Sequence, residues 1–208
     1  MPNEWVEWIQ SGIRQTENSI CEAKKFNCKP KYITGILMNK RDIIYPIANN
    51  FWKRKFDIEI DKSKWINAVY HTKETRLRVL HWKIMHNIYP TNILLKKMNV
   101  TENNKCSYCP NTVDYIEHFF FECRVVRDLW NLVEQKIMFE TNMVIKISVT
   151  DVLFGVNKSN LQREQFGLLN KFLLIAKMSI SMFKKTQLTF GLIQIFEKEC
   201  QLRKVISS

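Results

Sequence analysis

Hydrophobic side chains recur at helical spacing over much of the chain. From about Lys73 to Ile88 the apolar residues fall on one arc when successive residues are placed about 100° apart. The members of this arc, which we expect to face the core, are Leu77, Leu80, Ile84, Met85 and Ile88. His81 lies inside the arc, so the pattern predicts a core histidine rather than a metal ligand.

Further helical segments follow, bounded by capping or breaking residues. Pro90 ends the first helix, and Thr91 is in position to cap a short helix through Met98. The other helical patterns run from about Ser63 to Tyr70, Arg124 to Met138, Leu161 to Lys185 and Leu188 to Val205. Residues 143–148 are predicted to be extended, and Thr150 to cap a turn closed by Gly155. The sequence therefore predicts a mainly α fold.

Four residues with metal-binding side chains lie within an 18-residue window. They are Cys106, Cys109, His118 and Cys123, spaced Cys-x2-Cys-x8-His-x4-Cys. Two cysteines separated by two residues place both thiolates on one tight turn, where both reach a single tetrahedral ion. Residues 110–114 include Pro, Asn and Asp, which suit a turn back. The pattern predicts one zinc ion, and a chance cluster of buried thiols is the alternative.

The spacing of the last two ligands imposes a geometric condition. On an uninterrupted α-helix, five residues rotate a side chain by about 140°, so His118 and Cys123 would not share a face. The helix through His118 must therefore end or distort before Cys123. Four protein ligands complete a tetrahedral shell, which favours structural zinc over catalytic zinc. Binding of the ion then contributes to folding stability.

Composition limits the compartment and the partners. The net charge is +12, which favours polyanions, nucleic acid before membrane, although the solvated surface of an ordinary basic protein is the alternative. The first residues lack a secretory signal, so clustered cysteines indicate metal binding inside the cell, in nucleus or cytoplasm. The cysteines outside the cluster, predicted to be small buried hydrophobes, are Cys21, Cys28 and Cys200. Lys171 and Lys177 interrupt the most apolar stretch, so no membrane span is expected.

Longer motifs surround the four ligands. They are LHWKIMHNIYPTN from Leu80, CSYC from Cys106, IEHFFFEC from Ile116, LW at residues 129–130, DVLFG from Asp151 and LLIAK from Leu173. Over roughly residues 50–185 the chain resembles the C-terminal zinc-binding region of reverse transcriptases of non-LTR (long interspersed) retrotransposons. The resemblance implies a module that helps a polymerase bind its RNA template or target DNA, with the four residues above as zinc ligands.

The resemblance carries over no catalytic residue. Polymerase chemistry needs paired aspartates that hold metal ions, and the sequence contains no Asp-Asp pair. We therefore expect a non-enzymatic C-terminal fragment of such a protein, or a gene derived from one. The expected division is a basic helical connector resembling the post-thumb region over 1–60, the zinc-binding domain over 61–138 and a helical tail over 139–208.

Two functions of different classes remain open. In the first, the zinc module binds nucleic acid through cations that flank it, namely Arg76, Arg78, Lys83, Lys105, Arg124 and Arg127. Trp82 and the Phe119–Phe121 run are candidates for base stacking, with packing inside the protein as the alternative. In the second, zinc staples a structural or protein-interaction domain. Trp52, Trp65 and Trp82 would then pack against missing polymerase domains of a parent protein.

Overall fold

The computed structural model describes residues 47–58, 60, 64–65, 72–156, 161–186 and 191–204. All of them belong to one compact unit, Pro46–Ser208. Its helices are α1 (Ile47–Phe56), α2 (Thr75–Met85), α3 (Asn92–Lys97), α4 (Arg127–Thr141), α5 (Val149–Phe154), α6 (Arg163–Thr186) and α7 (Leu192–Leu202). The described residues contain no strand, only an isolated antiparallel bridge between Lys105 and Val113. The mainly α prediction is confirmed.

Helix α6 forms the centre of the core, and α2, α4 and α7 pack around it. Its buried side chains include Phe172, Leu173, Ile175, Ala176 and Ile180. A helix that is apolar on most sides must be covered by other elements. By length and composition alone α6 could cross a membrane, but 67% of its apolar window is buried inside this fold. Its apolar character is therefore explained by its position in the core.

Helix α2 buries the face that the periodicity predicts, with one exception. Leu77, Leu80, Ile84 and Met85 are buried, but Ile88 is 44% exposed. The prediction for Ile88 was wrong because the helix ends at Met85, before Pro90, and Asn87 then adopts a left-handed conformation with φ of 54°. This reversal turns the chain away before Ile88 can continue the helical face.

His81 is a core histidine, as predicted. It is 1% exposed, and its Nδ1 lies 2.8 Å from the amino nitrogen of Lys177 on α6. The same amino group donates to the carbonyl oxygen of Val152 at 2.9 Å. Burial lowers the pKa of Lys177 to about 7 and the pKa of His81 well below its ordinary value. The core thus contains a lysine–histidine pair, and no carboxylate hydrogen-bonds to either ring or amine in the described residues.

Two helix starts differ from the predicted caps. Thr91 occupies the cap position of α3, but its side chain accepts no capping bond, and the Asp114 carboxylate accepts from the Asn92 N–H at 3.1 Å instead. Helix α5 is capped by Ser148 rather than by Thr150. The Ser148 hydroxyl accepts from the Asp151 N–H, and the Asp151 carboxylate accepts from the Ser148 N–H, a reciprocal capping box.

The remaining predicted elements are close to those observed. Gly155 closes α5 with φ of 82°, as expected of a glycine that ends a helix. Residues 143–148, predicted to be extended, lie outside any helix or strand, and Ser148 has extended backbone angles. Helix α4 starts at Arg127, later than predicted, because a short 3-10 turn (Arg124–Val126) precedes it. Cys200 is fully buried, as predicted, whereas Cys21, Cys28 and most of the helix expected from Ser63 to Tyr70 lie outside the described residues.

Helix α1 is part of the same core as the helices that follow it. Trp52 is fully buried, and its indole N–H donates to the carbonyl oxygen of Met85 at 2.7 Å. Its ring stacks on Phe56 and meets Phe154 edge-on. Trp52 therefore packs within this chain, and its buried ring is not available to pack against polymerase domains of a parent protein. The divisions at residues 60/61 and 138/139 stay predictions.

Candidate metal centre

Cys106 and Cys109 lie on a small hairpin turn. The Cys106 N–H donates to the carbonyl oxygen of Thr112 at 2.8 Å, and the Thr112 N–H donates to that of Cys109 at 3.3 Å. Asn111 takes the left-handed conformation that the reversal requires, with φ of 64°. The Tyr108 N–H points at the Cys106 sulfur, 3.4 Å away. Local sequence thus creates a turn that carries both thiols, as predicted.

A π-helical turn (His118–Glu122) begins at His118 and is followed directly by Cys123, the fourth ligand. The Cys123 N–H donates to the carbonyl oxygen of His118, five residues earlier, at 2.9 Å. Cys123 itself is extended, with φ of −61° and ψ of 134°. The wider turn brings side chains five residues apart to the same side, which an α-helix does not do. The prediction that the helix distorts before Cys123 is confirmed.

The four side chains meet at one point. Their ligand atoms all lie within 4.8 Å of one another. The sulfur of Cys123 lies 3.7 Å from that of Cys106 and 3.7 Å from that of Cys109. Disulfide sulfurs are about 2.05 Å apart. Thiolates about 2.3 Å from a tetrahedral zinc ion lie about 3.8 Å apart, so these separations fit zinc ligands.

The nitrogen of the fourth ligand also fits a metal. His118 is 4% exposed, and its Nε2 is buried with no hydrogen-bond partner among the described residues. A buried polar atom without a partner costs stability unless something satisfies it. Burial lowers the pKa of His118, which favours the neutral ring that a metal requires. Three thiols and one free imidazole nitrogen form a donor set for one zinc ion.

The thiols differ in their environment. Burial raises the pKa of Cys123 to about 11. Burial also acts on Cys109, but hydrogen bonds from the Arg124 backbone N–H and the neighbouring thiols outweigh it and lower its pKa. A buried thiol with a raised pKa binds a proton until a metal displaces it. Zinc binding at this centre must therefore release protons.

Residues far along the chain surround the zinc ligands, and sequence reasoning missed them. The Lys184 amino group on α6 donates to the carbonyl oxygen of Phe119 at 2.8 Å and lies 4.3 Å from the centre of the Phe119 ring. It also lowers the pKa of Cys123 by its charge and a hydrogen bond, against the effect of burial. Phe183 stacks on Tyr108 of the Cys-x2-Cys turn. No sequence signal links these residues across 65 positions.

The phenylalanine run between the last two ligands packs inward. Phe119 and Phe120 are 7% and 0% exposed, and both rings contact Tyr89. Phe121 is half-buried against Trp130, whose indole N–H donates to the carbonyl oxygen of Phe120 at 2.8 Å. The packing interpretation is correct for Phe119 and Phe120, since neither ring is accessible to a base.

The six cations proposed for nucleic-acid contacts form two groups. Arg76, Arg78 and Lys83 lie on α2, where both arginines are exposed and Lys83 is half-buried. The others, Lys105, Arg124 and Arg127, are exposed beside the zinc centre. In this second group the Lys105 amine donates to the Asn111 side chain, and the Arg124 guanidinium donates to the carbonyl oxygen of Tyr108. Their role in binding stays a prediction.

Comparison with known families agrees with this centre. Residues 37–130 match the family model described as zinc-binding in reverse transcriptase. The match covers somewhat less than half of the chain and includes all four ligands. No curated protein and no solved structure matches the chain. The predicted resemblance to the zinc-binding region of reverse transcriptases and the prediction of one zinc ion are confirmed.

Proposed function

Because residues 37–130 match the family model described as zinc-binding in reverse transcriptase, we propose that the chain is a non-catalytic module that binds nucleic acid. Zinc holds the fold, and basic side chains outside the metal shell make the contacts. Four protein ligands complete the shell, so the ion supplies no open position for a substrate. The natural ligands are an RNA template or a target DNA, with the domains of a parent polymerase as further partners in nucleus or cytoplasm.

Cations without an ion-pair partner carry the proposal. Several carboxylates of the described residues have a basic partner inside the protein: Glu117 pairs with Lys55, Glu134 with Lys146, and Glu74 and Glu199 with Arg203. By contrast, Arg76, Arg78, Lys83 and Arg127 form no ion pair in the described part of the chain. Unpaired cations on an excess of positive charge attract the phosphate backbone and steer its approach.

The test is fluorescence anisotropy of the full chain with a labelled RNA stem-loop and a DNA duplex, at two salt concentrations. We expect binding at low salt that weakens as salt rises, with a log–log slope of about −0.9 for each phosphate neutralised on duplex DNA. Replacing Arg76, Arg78 and Lys83 together by alanine should weaken binding and make the slope shallower. The matched control replaces Lys136, Lys146 and Lys198. No binding to either ligand at low salt contradicts the proposal.

A second function is favoured by one observation. Phe139 and Val144 are 78% and 90% exposed at the end of α4 and in the loop that follows. Exposed apolar groups of this kind suit a zinc-stapled structural or protein-interaction domain. Sedimentation velocity separates the two functions. Self-association that Phe139→Ser abolishes, together with absent nucleic-acid binding, would favour the second function.

A further inference from the structure

The exposed face of α2 combines an aromatic ridge with flanking cations. At about 100° per residue, Trp82, His86 and Val79 fall within about 60° of the helix circumference. Arg78 lies about 40° to one side of this ridge, and Lys83 lies about 40° to the other side. Trp82 and Val79 are 47% and 44% exposed. Helix α2 contains no acidic residue, so nothing in the helix itself neutralises these cations.

The indole of Trp82 is held in place before any ligand arrives. The ring of His86 lies against it, with centroids 4.4 Å apart and planes inclined by 33°. The Nδ1–H of His86 donates to the carbonyl oxygen of Trp82 at 2.9 Å, which fixes the imidazole. The ring of Trp65 also contacts His86 edge-on, with the ring centroids 5.0 Å apart. Of these three rings, Trp82 is exposed and the other two are half-buried.

A third cation approaches this face from a different helix. Burial lowers the pKa of Lys185, at the end of α6, and repulsion by the nearby Lys83 charge lowers it further. Its amino group is 4.9 Å from the centre of the Tyr89 ring. None of Arg78, Lys83 and Lys185 forms an ion pair among the described residues. Two cations brought together without a counter-charge favour an anionic occupant.

We propose that Trp82 is a stacking platform for an unpaired nucleobase of single-stranded RNA or DNA, whose backbone phosphates bind Arg78, Lys83 and Lys185. This inference rests on the proposed nucleic-acid binding and adds the form of the ligand and the residue that selects it. An aromatic face stacks on the open face of any unpaired base, whereas bases inside a duplex are covered by their neighbours. The flanking cations complement the negative charge of the phosphates. An apolar protein surface carries no such charge, so the cations favour nucleic acid as the occupant.

The experiment compares the wild type with Trp82→Ala, using a labelled single strand, the same strand with abasic sites and the matching duplex. Trp82→Ala should weaken binding to the intact single strand by about tenfold. It should leave the abasic strand and the duplex unchanged, because neither presents an open base face to Trp82. Trp82→Phe should restore part of the affinity. The matched control is Phe139→Ala, an exposed aromatic residue on α4. Unchanged zinc content and helicity would show that each variant is folded.

The outcomes separate the two proposals. If neither strand nor duplex binds the wild type, the proposed function fails. If the strands bind and Trp82→Ala loses nothing on the intact single strand, or loses equally on the abasic strand, the stacking platform is overturned while nucleic-acid binding stands. If Trp82→Ala weakens binding to a protein partner and leaves nucleic-acid binding unchanged, the stacking role of Trp82 is wrong and Trp82 packs against that partner.

Discussion

The backbone N–H of Cys123 donates to the carbonyl oxygen of His118 at 2.9 Å, five residues apart. This one π-helical bond puts the imidazole of the third ligand and the thiol of the fourth on one side of the chain. An α-helical turn would direct them apart by about 140°. The irregular turn is thus the local feature that makes a closed four-ligand centre possible.

Loss of one zinc ligand should remove the metal and destabilise the fold. Cys123→Ser deletes a thiolate at a fully buried position, and three remaining ligands do not complete the shell. We expect the zinc content, measured by mass spectrometry, to fall from one per chain to near zero, with a much lower thermal midpoint. Cys200→Ser is the control, since that buried cysteine lies outside the cluster and should keep one zinc. A metal-free Cys123→Ser protein as stable as the wild type would disprove a structural role.

Lys184 should strengthen zinc binding from outside the ligand set. Three thiolates and Zn²⁺ carry a net charge of −1, which the nearby ammonium offsets. Because loss of a group that supports the ligands typically costs about 10–100-fold in metal affinity, Lys184→Met should weaken binding within that range in a chelator competition. Lys184→Arg should restore much of it, and Lys185→Met should have little effect. Equal affinity for zinc in Lys184→Met and the wild type would show that Lys184 only packs.

Stability should depend on pH through Lys177. Its pKa is about 7 in the folded protein and about 10.5 in an unfolded chain, where the amine is solvated. Between these values the unfolded chain binds more protons, so the free energy of unfolding rises with pH. Below pH 7 both states are protonated, and the full cost of the buried charge applies.

The measurement is urea unfolding from pH 6 to pH 10 for the wild type and for Lys177→Met, which removes the titrating group. The difference between their unfolding free energies should change by at most about 1.4 kcal/mol per pH unit above pH 7, in favour of the wild type. A difference that stays constant over this range would mean that Lys177 is charged in the folded protein.

A chain that ends at residue 138 should not fold independently. Leu129, Val133 and Ile137 on α4 are fully or almost fully buried, and α4 packs on α6 and α7, which this truncation removes. We expect poor dispersion in the amide NMR spectrum with zinc present, or aggregation through the exposed apolar face. Well-dispersed signals would instead support a self-sufficient zinc domain over 61–138.

The features that sequence predicts well are those with a local cause. The apolar arc of α2, the Cys-x2-Cys turn and the distortion before Cys123 each follow from spacing within a few turns. Helical periodicity places Ile88 wrongly on the buried face, because it does not reveal that the left-handed Asn87 reverses the chain. The cap of α5 was placed at Thr150, although Ser148 has the acidic residue three positions later that a capping box uses.

Long-range contacts could not be predicted from spacing. Lys184 reaches the zinc ligands, and Lys177 reaches His81 across 96 positions, only because α6 passes through the core. In the sequence, Lys177 interrupts the apolar pattern of α6, and only the folded structure shows that His81 is its partner. Spacing also leaves two roles open for Trp82, base stacking and packing inside the protein. Only the three-dimensional surroundings of the indole distinguish between them.

X-ray absorption spectroscopy at the zinc edge, on the purified full chain, can show whether Cys106, Cys109, His118 and Cys123 form a closed structural zinc centre. A closed structural centre predicts one zinc per chain with three sulfurs at about 2.3 Å and one nitrogen at about 2.0 Å, and no further light atom. Excess imidazole or cyanide should leave the spectrum unchanged. Fewer than three sulfurs, or an oxygen that these ligands displace, would show an open site and contradict the account.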